Sequence, residues 1–143
     1  MSAEKLYTEQ VLGLATQLAA WPWDEDLPLQ GSARSRSCGS SLELGLALDR
    51  QGRITRLGLR TQACAIGQAA AAIFAGGAQG RDGAAIHAAA DALTGWLAGE
   101  EAMPNWPGLE ALSAARSVPG RHGAIMLAWN AARDLLPSGR DCR

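Results

Sequence analysis

The stretch that decides the fold is Cys38-Gly39-Ser40-Ser41-Leu42-Glu43-Leu44-Gly45-Leu46-Ala47-Leu48, followed by Asp49-Arg50-Gln51-Gly52 and then Ile54-Thr55-Arg56-Leu57-Gly58-Leu59-Arg60. Leucines at 42, 44, 46 and 48 alternate with Glu43, Gly45 and Ala47, the period of a strand with one face buried. Asp49–Gly52 supplies the turn, with glycine where a positive φ is expected. Ile54, Leu57 and Leu59 interleave with polar residues, so a second, antiparallel strand follows. A hairpin returns the chain to its starting edge. Its two ends carry Cys38 and Cys64, and two thiols brought to one edge are half of a soft-metal site.

Working outward, Leu6, Val11, Leu12, Leu14, Ala15 and Leu18 predict a first helix over residues 3–20. Trp21-Pro22 ends it, because proline disfavours helical backbone in the residue before it. Residues 24–37 read as an irregular connection with a short edge strand near Gln30–Ser35. After Cys64 the pattern is helical, with Ile66, Ala69, Ala70, Ile73 and Phe74 on one broad face, and Gly76-Gly77 predicts its end. A third helix is expected near 84–98, a short one near 108–116 and a last one near 121–136, before a tail from Pro137. The fold class this predicts is α+β: a small antiparallel sheet of about three strands with helices packed on one face, in one domain spanning 1–143.

The chain has 143 residues, 48% apolar and 19% charged, the composition of a globular domain with a real core. A net charge of −1 gives no electrostatic reason to expect nucleic acid or an anionic membrane as partner. No apolar run approaches the roughly 20 residues of a membrane span. The first residues, Met1-Ser2-Ala3-Glu4-Lys5, lack a signal-peptide pattern, and three cysteines argue for reduced thiols; a cytoplasmic location is expected. No phosphate loop, dinucleotide fingerprint or nucleophile triad is present, and an enzyme is not expected.

Cys64 stands at a predicted helix start, where unpaired N–H groups and the helix dipole favour an anion, the thiolate that binds metal or accepts sulfur. Cys38 precedes Gly39, where backbone can turn closely. Three tryptophans, Trp96, Trp106 and Trp129, read as packing residues.

These residues bring the sequence close to a known family: the chain resembles the U-type iron–sulfur cluster scaffold proteins, the group of IscU, SufU and the NifU N-terminal domain. Leu6–Leu12 is similar to the family's opening helix. Cys38-Gly39-Ser40 resembles its Cys-Gly-Asp segment, and Gln62-Ala63-Cys64-Ala65-Ile66 its second-cysteine motif, 26 residues on. Arg121-His122-Gly123-Ala124-Ile125-Met126-Leu127-Ala128-Trp129 resembles its last-helix motif. The 60 residues between Cys64 and Ala124 are similar to the longer spacing of the SufU-type branch.

The resemblance implies a scaffold or sulfur-transfer role in iron–sulfur cluster assembly, with a cysteine desulfurase as partner and a [2Fe–2S] cluster, iron or a zinc ion as the bound group. It implies Cys64 as sulfur acceptor, and Cys38 and Cys64 as metal or cluster ligands. The chain departs from the pattern at two ligand positions: Ser40 stands for the aspartate and Ala124 for the third cysteine, and Gly123 replaces the histidine before it. Ser40, His122 and Cys142 are the candidates to supplement the ligand set, and a homodimer or the desulfurase could supply ligands in trans. Arg121 keeps the place of the family's arginine. Two other expectations stay open: a non-catalytic binding or regulatory module, and a Cys38–Cys64 redox pair.

Overall fold

The computed structural model describes residues 6–36 and 39–137. The order is α1 (Glu9–Thr16), continued by a 3-10 turn Gln17–Ala20; β1 (Leu29–Arg34), β2 (Ser41–Leu48) and β3 (Ile54–Gln62); α2 (Ala65–Ala78); α3 (Gly83–Leu97); 3-10 segments Leu109–Ser117 and Pro119–Arg121; and α4 (His122–Leu135). The sheet is antiparallel with β2 in the centre. α2 and α4 lie against it, α1 packs on α2, and α3 packs on α4 as an outer layer. This is the α+β architecture expected.

The period-two pattern of β2 drives the sheet. Leu42, Leu44 and Leu46 are completely buried beneath the helices. The register runs from Ser41 opposite Gln62 through Leu44 opposite Leu59, and one extra residue in β3, Thr55, makes a bulge beside Ala47 and Leu48. In the turn, Asp49 Oδ1 accepts from the backbone N–H of Gln51 and of Arg53, both at 2.9 Å, and Gly52 takes the expected positive φ of 79°. The predicted edge strand is β1, paired along β2 from Leu29–Leu46 to Arg34–Ser41.

The opposite face of the sheet is not bare. Gly45 and Gly58 are register partners, and both lie beneath the coil that connects α1 to β1. A Cβ on Gly58 would stand 2.3 Å from the Pro22 carbonyl oxygen, and one on Gly45 would stand 2.9 Å from Leu27. Leu59 N–H donates to Trp21 O at 3.0 Å along the outer edge of β3, Arg60 stacks on Trp23 at 4.6 Å, and Asp24 faces Arg56 at 3.8 Å. The segment 21–28, which joins the predicted helix end at Trp21-Pro22 to the first part of the irregular connection read over 24–37, is a strap laid across two glycines.

The helices correct the sequence reading in three places. The first helix is shorter than 3–20: its described regular part begins after Thr8, whose Oγ1 accepts from Val11 N–H at 3.1 Å, and its last turn tightens to 3-10. Leu12, assigned to its apolar face, is 48% exposed, while Leu6 and Val11 are buried. Gly76 and Gly77 do not stop α2, which runs to Ala78. Gly77 is there because the Trp106 indole rests on it; an added Cβ would lie 2.5 Å from Nε1. The true punctuation is Gly80 at φ 87°, where Gly80 N–H donates to Ile54 O and Ile54 N–H to Arg81 O, tying the link between α2 and α3 to the start of β3.

Phe74, Trp106 and Trp129 form the centre of the core. Phe74 stacks on Trp106 at 5.6 Å, and Trp129 meets both rings edge-on at 5.4 and 5.3 Å. Trp106 Nε1 donates to Ile73 O at 2.9 Å, which satisfies its buried N–H. Arg81 covers the outer face of Trp106 at 3.9 Å and donates to Gly77 O; burial pushes its guanidinium pKa down from the ordinary value.

Gly58→Ala and Gly13→Ala are expected to change stability in opposite directions. Gly13 lies in α1 with nothing within 4 Å of an added Cβ, so alanine gains up to about 1 kcal/mol of helix propensity. At Gly58 the methyl meets backbone, and the loss is about 1–3 kcal/mol. Urea denaturation of both variants measures the contrast, and a Gly58→Ala protein as stable as the parent would show that the strap does not hold the sheet closely.

Candidate functional site

The site end of the molecule is built where β3 turns into α2. Thr61 Oγ1 donates to Ser41 O at 2.6 Å, closing the hairpin's open end, and Gln68 Nε2 reaches back to Ala63 O at 2.8 Å. These bonds fix the three residues before α2. Cys64 follows as the N-cap, with extended backbone at φ −65°, ψ 170°, and its carbonyl accepts the first helical bond from Gln68 N–H at 2.9 Å. Its side chain makes no capping hydrogen bond. The thiol is free, half-buried and set beside the unpaired N–H groups of the first turn, where negative charge is favoured.

Cys38 lies outside the described residues. The nearest described residues, Arg36 and Gly39, belong to the loop between β1 and β2, where Ser35 N–H donates to Ser40 O at 2.8 Å and Gly39 N–H to Ser35 O at 3.2 Å. Gly39 has a positive φ of 72°, as a close turn at that point requires. Register places Ser41 opposite Gln62, so this loop and Cys64 stand at the same end of the sheet. Ser40 is buried, with 4% exposure.

α4 begins at the same end. Ala124, in its first turn, is buried, and an added Cβ on Gly67 would lie 3.2 Å from Ala124 Cβ and 2.8 Å from Ala63 Cβ. The starts of α2 and α4 therefore meet at Gly67 and Ala124, one turn from Cys64, with Ala63 packed against Gly67 from its own segment. His122 is the first residue of α4, and its Nε2 lies 2.7 Å from Arg116 O; because a carbonyl only accepts, that nitrogen carries the proton and donates. Arg121 Nη2 is 3.4 Å from the Tyr7 hydroxyl, bringing the entry to α1 to the same end. Cys142 lies outside the described residues. The last described residue, Pro137, packs by its carbonyl against Gly83, beyond the far end of α4 from Ala124.

On the opposite face, next to the open end of the hairpin, lies a shallow polar depression of about 610 Å³ lined by Ser32, Arg34, Glu43, Arg60 and Gln62 among others. Glu43 and Arg60 are cross-strand partners, and the hydrogen bond from Arg60 holds the Glu43 carboxyl below the ordinary carboxylate range.

Structure thus brings Cys64, Ser40 and the Ala124 position to one end and commits the His122 Nε2 to the main chain. Among the described residues no three His, Cys, Asp or Glu side chains cluster as a metal site would need. Zinc takes four ligands and a [2Fe–2S] cluster is held by four, so the described donors alone do not fit either group. Sequence reasoning missed Ala63 and Gly67; their spacing of four in a helix start was the available signal.

No family model matches the sequence, and no curated protein matches it. Solved structures do match the fold. A nitrogen-fixing NifU-like protein (N-terminal) from Brucella abortus superposes with a TM-score of 0.83 at 22% identity, covering 92% of each chain. A putative iron–sulfur cluster assembly scaffold protein for the SUF system from the thermophile Fervidobacterium islandicum AW-1 gives 0.83 at 17% identity, over 95% of this chain and all of that one. A hypothetical protein gives 0.66 at 18% identity, over 87% of this chain and 95% of the other. The fold is that of the U-type scaffolds. Within it, the chain is similar to both NifU-like and SufU-type examples over nearly its whole length.

Gly67→Ala sets two effects against each other: alanine gains up to about 1 kcal/mol in a helix, while overpacking against Ala63 and Ala124 costs about 1–3 kcal/mol. The expected net result is a loss of about 1 kcal/mol in equilibrium denaturation. A stabilised variant would mean that the two helix starts are not in firm contact.

Proposed function

We propose that the chain serves iron–sulfur cluster assembly as a scaffold-type protein, and that Cys64 receives sulfur from a cysteine desulfurase. The observation that carries this is the Cys64 thiol itself: partly accessible, unspent on capping, and placed at a helix start on a fold shared with a putative SUF-system scaffold. In the transfer, the Cys64 thiolate attacks the outer sulfur of the desulfurase persulfide. A new S–S bond forms on Cys64, the donor's S–S bond breaks, and the desulfurase cysteine leaves as thiolate. No external oxidant or reductant is needed. The positive end of α2 stabilises the anion before attack and the persulfide after it.

Iron, or the [2Fe–2S] unit built from it, is the cargo, with Cys38 offering the second thiolate; zinc is the alternative metal. The chain acts as a carrier, not an enzyme, and no described helix is long and apolar enough to cross a membrane.

One observation favours a second role. Ala124 is packed away and His122 Nε2 is occupied, which suits a binding or regulatory module that docks on the desulfurase without handling metal. Mass spectrometry after incubation with a cysteine desulfurase and free cysteine separates the two. The transfer role predicts one added sulfur atom on Cys64 in the native chain and background loading in Cys64→Ser. Docking on the desulfurase with no sulfur on Cys64 would give the place to the second role.

A further inference from the structure

We infer that the outer edge of β1 pairs with the same edge of a second copy of this chain, joining the two sheets into one across a two-fold axis. The inference is independent of the role proposed for Cys64.

Hydrogen bonding between β1 and β2 fixes which backbone groups are left over. Ser35 N–H donates to Ser40 O at 2.8 Å, so these two residues form a hydrogen-bonded pair. Along an antiparallel ladder such pairs alternate with non-bonded ones. In the observed register the bonded pairs are therefore Ala33–Leu42, Gly31–Leu44 and Leu29–Leu46, and Gln30, Ser32 and Arg34 aim their N–H and C=O groups away from β2. Among the described residues none of those outward groups has a hydrogen-bond partner. The other edge of the sheet is treated differently, because Trp21 O takes the outward N–H of Leu59 in β3. β1 contains no proline and no register shift, and a single charge, Arg34, is all that guards its edge.

The occupant follows from β1 itself, which is self-complementary. Antiparallel pairing centred on Ser32 sets Ser32 against the partner's Ser32 and Gln30 against the partner's Arg34, each pair exchanging both backbone bonds. These side chains are exposed on the outer face. Gln30 spends its Nε2 on Glu25 O at 2.9 Å and Leu27 O at 3.2 Å, which leaves its Oε1 to accept. Arg34 makes no ion pair among the described residues, and its guanidinium supplies the donor. The two-fold axis repeats this match at both ends of the seam. The nearest carboxylate, Glu43, lies one strand in and is held by Arg60 of its own sheet. Arg34, Ser41 and Gln62 mark the Cys64 end of the sheet, so antiparallel pairing points the two Cys64 ends in opposite directions and the thiols do not meet at the seam.

Light scattering and sedimentation of the reduced full-length chain, from about 1 µM to about 1 mM, test the pairing. The native mass is expected to rise toward that of two chains across this range. Gln30→Arg sets arginine against arginine at both ends of the seam and is expected to weaken association on the order of tenfold; adding Arg34→Glu restores opposite partners and recovers it. Ser32→Pro removes an outward N–H but no bond of the β1–β2 ladder, and is expected to abolish the dimer while circular dichroism stays that of the folded chain. A native chain still monomeric at about 1 mM overturns the inference and leaves the edge to a different partner. So does a dimer unchanged in folded Ser32→Pro, or one whose association does not fall in Gln30→Arg and return in the double variant. If Ser32→Pro does not fold, the Gln30 and Arg34 variants decide alone.

Discussion

The contact between the first turns of α2 and α4, where Ala124 lies over Gly67, is the constraint around which this end of the molecule is arranged. It sets the start of α4 beside the helix that Cys64 caps. From it follow the position of His122, which turns away to Arg116 O, and of Arg121, which reaches Tyr7 at the entry to α1. Three helix starts thus share one end of the molecule.

The stability of the fold is generated elsewhere. Phe74, Trp106 and Trp129 fill the centre of the core, and the strap of residues 21–28 closes the opposite face of the sheet over Gly45 and Gly58. Burial of large aromatic rings contributes several kcal/mol each, far more than one small-residue contact. The architecture persists at TM-scores of 0.83 with about 20% identity.

Much of the fold was legible because its signals are local. Alternating leucines at 42–48 fix a buried sheet face, and Asp49–Gly52 fixes the turn. What was not legible depended on distant partners. Gly76-Gly77 looks like a helix stop until Trp106, nearly thirty residues on, is seen resting against Gly77. Leu12 fits a helical stripe, but the packing of α1 on α2 buries Val11 instead. The glycines of Gly45 and Gly58 carry no periodic signal for the strap above them, since the strap is irregular backbone.

The site was legible to a different depth. Cys64 could be placed at a helix start from sequence, and the structure puts it there as the N-cap. Ala124 could be marked as a lost ligand only through resemblance, and only the structure says what replaced it. A cysteine exchanged for alanine in open solvent would leave a gap that another donor, protein or water, could enter. Here Ala124 is buried and lies over Gly67.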